Sequence, residues 1–157
     1  MSTETEADPI AAEIGELLSG SGRTIAVAES LTGGLLVQAL AKAQGSGEWL
    51  LGGVVSYASS VKHGLLGVTA DHVVSPESAA QMAAGVRERM GADIAVAVTG
   101  VAGPSRQEGR PPGEVWIGVH DGTDARAHRF DTSGSPVEIV EHTVAEALRV
   151  VLTALRP

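Results

Sequence analysis

The stretch TIAVAESLTGG, residues 24–34, decides how the rest of the chain is interpreted. Its apolar first half, Thr24 to Ala28, is typical of a short buried strand, and the residues after it have the apolar spacing of an amphipathic helix. Ser30, Thr32 and two glycines lie between them and predict a tight strand-to-helix turn. Backbone N–H groups at a helix start have no partner within the helix and carry partial positive charge. The turn is therefore a candidate site for an anion or a developing oxyanion.

Two interpretations of Ser30 remain open at this point. Strand-to-helix turns are rich in Ser, Thr and Gly because these residues cap helices and permit positive φ, so the local pattern favours a structural serine. A serine beside backbone donors is also a plausible nucleophile for acyl transfer. The choice between the two depends on a second segment of the chain.

That segment is GGVVSYASSVK, residues 52–62. It contains Tyr57, the only tyrosine, and Lys62, one of two lysines in a chain with nine arginines. A buried lysine can lose its proton and act as a base, whereas arginine stays protonated. Lys62 is therefore a candidate general base. The alternative is a solvated surface lysine, which is the interpretation we favour for Lys42.

Composition limits the class of protein. A chain of 157 residues with 43% apolar but only 3% aromatic residues predicts one domain with a core of Val, Ala, Leu and Ile. A net charge of −8 argues against nucleic-acid binding. The absence of cysteine excludes disulfides and thiolate zinc sites. We expect no metal site, because the histidines are scattered along the sequence, at His63, His72, His120, His128 and His142. We also expect no cofactor.

The residues at the start of the given sequence bear on the cellular compartment in which we expect the protein. Residues 1–8 are polar and acidic and lack the basic-then-apolar layout of a signal peptide, and no apolar run approaches the roughly 20 residues that span a bilayer. We therefore expect a cytoplasmic protein with no membrane partner. Residues 1–8 are predicted to be a disordered segment, and residues 9–157 a single domain.

Hydrophobic spacing predicts the elements of that domain. Helices are predicted over 9–18, 33–43, 59–66, 76–90 and 137–155, and strands over 24–28, 53–57, 93–99, 114–120 and 125–131. Residues 45–47 and 100–113 are predicted loops, and Asp121-Gly122 predicts the turn of an antiparallel hairpin.

This order of elements predicts an α/β protein, a three-layer α/β/α sandwich with a mixed, mainly parallel sheet. Ligands in such folds bind at the carboxyl ends of strands. Ser30 follows the first strand, Tyr57 and Lys62 follow the second, and Thr99-Gly100 follows the third. We expect these three segments to meet at one edge of the sheet.

Three motifs in this order resemble the C-terminal domain family of CinA, a family of competence- and damage-inducible proteins. They are residues 28–34, residues 52–62 with 65–68 following, and AVTGVAGP at residues 97–104. The resemblance covers about residues 9–155. Stand-alone members of the family are nicotinamide-nucleotide amidohydrolases, or NMN deamidases. The resemblance implies a hydrolase of pyridine nucleotide metabolism and NAD salvage, which converts nicotinamide mononucleotide to nicotinate mononucleotide and ammonia.

The resemblance also implies roles for individual residues. Ser30 would be the nucleophile, Lys62 the base and Tyr57 its partner, with helix-start amides holding the oxyanion. A small pyridine nucleotide would be the ligand, and a homo-oligomer the assembly. Trp49 and Leu50-Leu51 are candidate contacts in that assembly if they are exposed, with core packing as the commoner alternative for such residues. The substrate-binding set would be Glu29, Thr32, Gly33, Gly34, Thr99, Gly100, Arg106 and Arg110.

The chain departs from the family pattern in two places. Leu31 stands where the family often has Cys, a position that we interpret as packing. Gly134-Ser135-Pro136 and Val140 stand where members commonly have arginines, which are candidates for gripping the substrate phosphate. Arg106 and Arg110 are possible substitutes, with ordinary loop solvation as the alternative.

Other functions therefore stay open. One is an amidase that acts on a different carboxamide, and another is a catalytically silent nucleotide-binding or assembly module. A dinucleotide oxidoreductase is disfavoured, because Gly20-Ser21-Gly22 precedes the first strand rather than following it.

Overall fold

The computed structural model describes residues 4–156 of the chain. The helices are α1 (Ala7–Leu18), α2 (Leu35–Ala41), α3 (Ser46–Trp49), α4 (Ser59–Gly64), α5 (Pro76–Met90) and α6 (Pro136–Leu155). The strands are β1 (Ile25–Glu29), β2 (Leu50–Val55), β3 (Ile94–Gly100), β4 (Glu114–His120) and β5 (Ala125–Asp131). None of the helices in this described part is both long and apolar enough to cross a bilayer.

The five strands form one mixed sheet in the order β2-β1-β3-β4-β5. β1 pairs in parallel with β2 and β3, whereas β4 runs antiparallel to β3 and β5. Four strands therefore point the same way. Their carboxyl ends and the start of β4 share one edge of the sheet, which we call the carboxyl edge. The predicted α/β sandwich with a mixed sheet is confirmed.

Helices cover both faces of the sheet. α1, α2 and α6 pack on one face over a large cluster that includes Ile14, Leu36 and Leu148. α5 packs on the other face over a smaller cluster that contains Met82 and Val86. Every residue of β1 and β3 is buried, as expected for central strands covered on both sides.

Several sequence predictions match these elements closely. The structure has the helix at 76–90, with Ser75 as its cap, and both hairpin strands at the predicted residues. Other expectations need correction. The predicted loop at 45–47 contains the start of α3, a single turn. The predicted second strand lies earlier, at Leu50–Val55, and its register shifts at Leu51.

The predicted disorder of residues 1–8 falls partly outside the described residues, since residues 1–3 are not described. Residues 7 and 8 belong to α1, so the predicted disorder is wrong for them. Asp8 forms an ion pair with Lys42 at 3.0 Å.

Trp49, a candidate oligomer contact, is instead fully buried in the core, while Leu51 is exposed. The homo-oligomer itself stays a prediction.

A glycine in α5 sets where α4 lies relative to the sheet. A Cβ atom added at Gly85 would lie 1.9 Å from the carbonyl oxygen of Leu66, so only glycine permits this close approach. Leu66 and Val68, which follow α4, pack in the smaller core cluster. This contact therefore fixes the position of the segment that carries Lys62.

We expect Gly85→Ala to lower the thermal midpoint, although alanine favours a helix over glycine by about 1 kcal/mol. The added methyl group would force the Leu66 backbone away, at a cost of roughly 1–3 kcal/mol. The change in midpoint, about 2–4 °C per kcal/mol for a domain of this size, is measured by calorimetry. Gly47→Ala in α3 is the matched control, because a Cβ there meets no atom within 4 Å. Equal midpoints for the two variants would contradict this account.

Candidate active site

Ser30 lies at the carboxyl edge on the α5 side of the sheet. Side chains alternate along a strand, and Ala26 and Ala28 of β1 both pack in the cluster under α5. Ser30 continues this alternation directly after the strand and is only 8% exposed. Thr99 holds the equivalent place on neighbouring β3, after Ala95 and Ala97 of the same cluster. The parallel pairing of β1 and β3 therefore brings Ser30 and Thr99 to the carboxyl edge and to one face of the sheet.

Glu29 is fully buried next to Ser30, and its carboxylate closes the start of α2. One carboxylate oxygen, Oε1, accepts from the Thr32 hydroxyl at 2.6 Å and from the amides of Gly34 and Leu36 at 3.1 and 2.9 Å. The other accepts from the Val37 amide at 3.0 Å. The resemblance implied a substrate contact for Glu29, but the structure uses this carboxylate to fasten α2 to the end of β1.

This cap corrects the expectation that the helix-start amides hold an oxyanion. The amide of Gly34 is taken by Glu29, and the amide of Gly33 donates to the Ser30 carbonyl at 3.1 Å. Across the part of the chain that the structure describes, the amides of Leu31 and Thr32 donate to no protein oxygen. The free donors are therefore the two that directly follow Ser30.

Lys62 lies on α4 and is buried, with 1% of its surface exposed. Its ammonium group forms neither a hydrogen bond nor an ion pair with any residue of the described range 4–156. Burial lowers the pKa of Lys62 below its ordinary value, and the negative charge of Glu108 opposes this shift. An unpartnered, desolvated amine is the form of lysine that can accept a proton.

Tyr57 lies just after β2 and is 71% exposed. Its ring lies over Gly33, where an added Cβ would be 3.7 Å from the ring carbon Cε2 and 3.8 Å from the hydroxyl oxygen. The structure shows no hydrogen bond between Tyr57 and Lys62 in the described chain, nor one between Ser30 and Lys62. Tyr57 therefore borders the Ser30 turn and does not pair with Lys62 as the resemblance implied.

The remaining predicted binding residues have other partners. The Thr99 hydroxyl donates to the Val73 carbonyl at 2.7 Å, and Gly100 lies so close to β4 that a Cβ would be 2.6 Å from the Glu114 carbonyl oxygen. The Arg106 guanidinium donates to the Gly109 carbonyl at 3.1 Å. Arg110 lies 3.7 Å from the buried carboxylate of Glu114 and remains half exposed. Among residues 4–156 the Arg110 guanidinium has no other acidic partner, so most of its donors are free for a ligand.

At the start of α6, a helix-capping motif occupies the region where family members commonly have arginines. Ser135 and Glu138 form a reciprocal capping box, with the Ser135 hydroxyl accepting from the Glu138 amide at 3.2 Å and the Glu138 carboxylate accepting from the Ser135 amide at 3.0 Å. Pro136 occupies the first helical position. This corner serves helix initiation and provides no cation.

Sequence reasoning missed Glu108 and the Trp116–Arg129 pair. Glu108 accepts from the amides of Val73 and Val74, which are more than thirty residues away in sequence. Arg129 lies over the Trp116 ring, with 5.5 Å from its guanidinium carbon to the ring centroid. Long-range contacts of this kind leave no periodic signal in a sequence.

We expect Glu29→Gln to destabilise the protein by roughly 1–3 kcal/mol, the cost of an unsatisfied buried polar group. A glutamine amide accepts through one oxygen only, and its NH₂ group would face an N–H donor of α2. Chemical denaturation measures the loss. Glu16→Gln on the exposed side of α1 is the control, and an equal loss in both variants would show that the cap is unimportant.

We expect Lys62→Met to raise the thermal midpoint at neutral pH. The pKa of Lys62 is lower in the folded than in the unfolded chain, so the unfolded chain binds more protons between these two values. The stability of the wild type therefore increases with pH across that window and is lowest below it. The difference in thermal midpoint between Lys62→Met and the wild type should therefore decrease as the pH approaches the ordinary pKa of lysine.

Lys42→Met, at an exposed ion pair, is the control and should not show this pH-dependent gain. Midpoints measured by calorimetry between pH 6 and 10, at constant ionic strength, check the prediction. A Lys62→Met protein no more stable than wild type at neutral pH would contradict the proposed desolvation of Lys62.

Comparison with known proteins agrees with the motifs and the fold. The family model described as CinA C-terminal domain matches residues 7–155. A CinA-like protein from Frankia casuarinae is 45% identical over 142 residues, 86% of this chain and 32% of that protein. A CinA-like protein from Trichormus variabilis is 48% identical over 118 residues, 71% of this chain and 28% of that protein. The chain thus spans about a third of the length of these curated relatives.

Solved structures match over nearly the whole chain. The competence/damage inducible protein CihA from Agrobacterium tumefaciens superposes with a TM-score of 0.92 at 31% identity, covering 99% of this chain and 100% of that chain. A CinA superfamily protein from Enterobacter cloacae gives 0.91 at 30% identity, with 99% and 95% covered. The fold, the family model and these relatives agree, and the chain belongs to the CinA C-terminal domain family.

Proposed function

We propose that this domain is an amidohydrolase in which Ser30 attacks a carboxamide and Lys62 moves the protons. One observation carries the proposal: the side chain of Lys62 is buried and its amine has no partner among the described residues, on a helix whose following residues, Leu66 and Val68, pack in the cluster that contains Ala26 and Ala28 of β1. A structural lysine would be expected to reach solvent or an acidic partner. Nicotinamide mononucleotide is the proposed substrate, on the resemblance of the three motifs to the deamidases of this family.

The first half-reaction forms an acyl-enzyme. Neutral Lys62 takes the proton of the Ser30 hydroxyl as its oxygen attacks the carboxamide carbon. The protonated lysine then gives that proton to the leaving nitrogen, and the C–N bond breaks to release ammonia. The acyl group remains on the Ser30 oxygen as an ester.

The oxyanion of this step needs donors directed at the reacting carbonyl oxygen. The amides of Leu31 and Thr32 are the proposed donors, because they follow the nucleophile directly and have no protein acceptor in the described chain. The cap formed by Glu29 keeps them rigid, since Thr32 is itself bound by that carboxylate.

The second half-reaction hydrolyses the ester. Lys62 takes a proton from water, the hydroxide attacks the ester carbon, and the proton returns to the Ser30 oxygen as the acid leaves. Tyr57, exposed beside Gly33, offers a flat surface at the entrance on which a pyridine ring can stack.

Recognition of the phosphate is the step that distinguishes the candidate substrates. The start of α6 carries a capping box in place of the family arginines. Arg106 and Arg110, in the loop after β3, are the proposed alternatives, and Arg110 is half exposed. The departure at α6 also favours a second candidate function, an amidase for a carboxamide without a phosphate.

The decisive assay is ammonia release from nicotinamide mononucleotide by the wild type, Ser30→Ala and Ser60→Ala. We expect Ser30→Ala to lose at least about 10³-fold in kcat, as is typical for loss of a nucleophile. Ser60→Ala, at an exposed serine of α4, should match the wild type. Equal turnover by Ser30→Ala and the wild type would overturn the assignment.

The same assay with nicotinamide riboside and simple aromatic amides separates the candidates. A preference for the phosphorylated nucleotide supports deamidation of the mononucleotide, and the opposite preference supports the second candidate. Thermal stabilisation by nucleotides without ammonia release from any amide would instead indicate a silent binding module.

A further inference from the structure

The two edge strands of the sheet differ in how they are protected. β2 and β5 lie at the ends of the strand order, so the outer N–H and C=O groups of each have no strand partner among residues 4–156. Such edges invite pairing with another chain, and proteins commonly guard them with charged side chains. The exposed positions of β5 follow this rule and are Arg126, His128, Arg129 and Asp131. Those of β2 are Leu51, Gly53 and Val55, so β2 is the unguarded edge.

The surface around this edge is also free of charge. Residues 30–41 and 49–61 contain no charged side chain, in a chain with 11 basic and 19 acidic residues. The two segments touch: a Cβ atom added at Gly53 would lie 2.5 Å from Val37 Cγ2, and one added at Gly34 would lie 3.9 Å from Val55 Cγ2. Leu51 and Val55 are each 46% exposed, and Tyr57 follows them at 71%. A continuous exposed apolar surface of this kind marks a contact with another molecule.

We propose that β2 pairs with the β2 strand of a second copy of this chain, antiparallel and about a two-fold axis, so that the two five-stranded sheets join into one. A two-fold contact uses the same patch on both copies, so the patch must be complementary to itself. The chain carries a net charge of −8, and two copies therefore repel each other over most of their surface. The uncharged edge brings no like charges together, and a strand with free backbone groups can pair with its own copy.

The alternation of β2 sets the register of this pairing. Residues that lie opposite each other in an antiparallel pair point to the same face of the sheet, so a two-fold axis has to pass through a residue of β2 and not between two residues. An axis at Gly53 places Leu51 of one copy opposite Val55 of the other, twice per dimer. All of these residues are exposed positions of the strand. The register therefore covers both exposed apolar side chains of β2.

The pairing also reaches the entrance of the proposed active site. Tyr57 follows β2 after a single residue, and its ring lies over Gly33 in the turn that carries Ser30. A second copy paired with β2 would therefore border this entrance. The inference itself rests on the strand, its exposure and its lack of charge, and it does not require the proposed activity.

Sedimentation velocity of the wild type, Val55→Arg and Val137→Arg, between about 1 and 100 μM, tests the contact. We expect the wild type to sediment as a dimer and Val55→Arg as a monomer, because a guanidinium at this position would have to lose its water opposite Leu51 of the other copy. Val137→Arg makes the same change at an exposed valine of α6, far from β2 in the fold, and should remain a dimer. Far-UV circular dichroism checks that both variants are folded.

Three outcomes of this experiment would overturn the proposal. A wild type that stays monomeric over the whole range would leave the unguarded edge to a different protein. A dimer that persists in a folded Val55→Arg protein would lie on another surface. Equal loss of the dimer in both variants would show that the effect of the added charge is not specific to β2.

Disulfide trapping tests the register and decides the question even if Val55→Arg does not fold. The chain has no cysteine, so each introduced thiol is the only one in its copy. Leu51→Cys and Val55→Cys, mixed and oxidised, should form a disulfide between the two different variants, since directly opposite Cβ atoms lie about 5 Å apart. Each variant alone should cross-link poorly, because identical positions are four residues apart along the paired strands, about 13 Å.

His128→Cys on β5, the guarded edge, is the control and should stay uncross-linked. Cross-links within the single variants as frequent as those in the mixture would overturn the antiparallel pairing at Gly53. No more cross-linking in the mixture than in His128→Cys would overturn the contact at β2. Neither experiment depends on turnover, so the result stands whether or not the protein is an amidase.

Discussion

The buried carboxylate of Glu29 is the interaction on which the site depends. It joins the last residue of β1 to the start of α2 through four hydrogen bonds. Ser30 and Leu31 lie inside this closed turn, so their backbone has little freedom to move. A buried carboxylate is stable only when its oxygens are satisfied, and the helix-start amides do this with favourable charge. The cap thereby leaves the two amides after Ser30 as the free donors of the turn.

The burial of Lys62, unlike that of Glu29, is not compensated by hydrogen bonds within the described chain. Its side chain is buried and its amine has no partner in the described chain, which opposes folding and favours the neutral form that can act as a base. The close approach at Gly85 and the apolar residues after α4 hold it there. Stability given up at one residue for chemical reactivity is the pattern expected of an active site.

Much of the fold was predictable because it rests on local signals. The helix at 76–90 has Ser75, Pro76 and Gly91 at its ends, and the hairpin has alternating strands around Asp121-Gly122. The single turn of α3 and the register shift at Leu51 were not predictable, because tertiary packing around buried Trp49 sets them. For the site, the sequence order predicted that Ser30 and Lys62 follow neighbouring strands, and β1 and β2 are parallel neighbours in the sheet. It could not show that Glu29 occupies the helix-start amides or that Glu108 reaches Val73, since both depend on distances in the folded chain.

The central claim is that Ser30 carries the acyl group during turnover. Rapid acid quenching of the wild type with nicotinamide mononucleotide, followed by peptide mass spectrometry, tests it most directly. The account predicts an adduct with the mass of the acyl nucleotide on the peptide that contains Ser30, and none in Ser30→Ala. Ammonia release by the wild type with the adduct on another residue, or with no loss of turnover in Ser30→Ala, would contradict it.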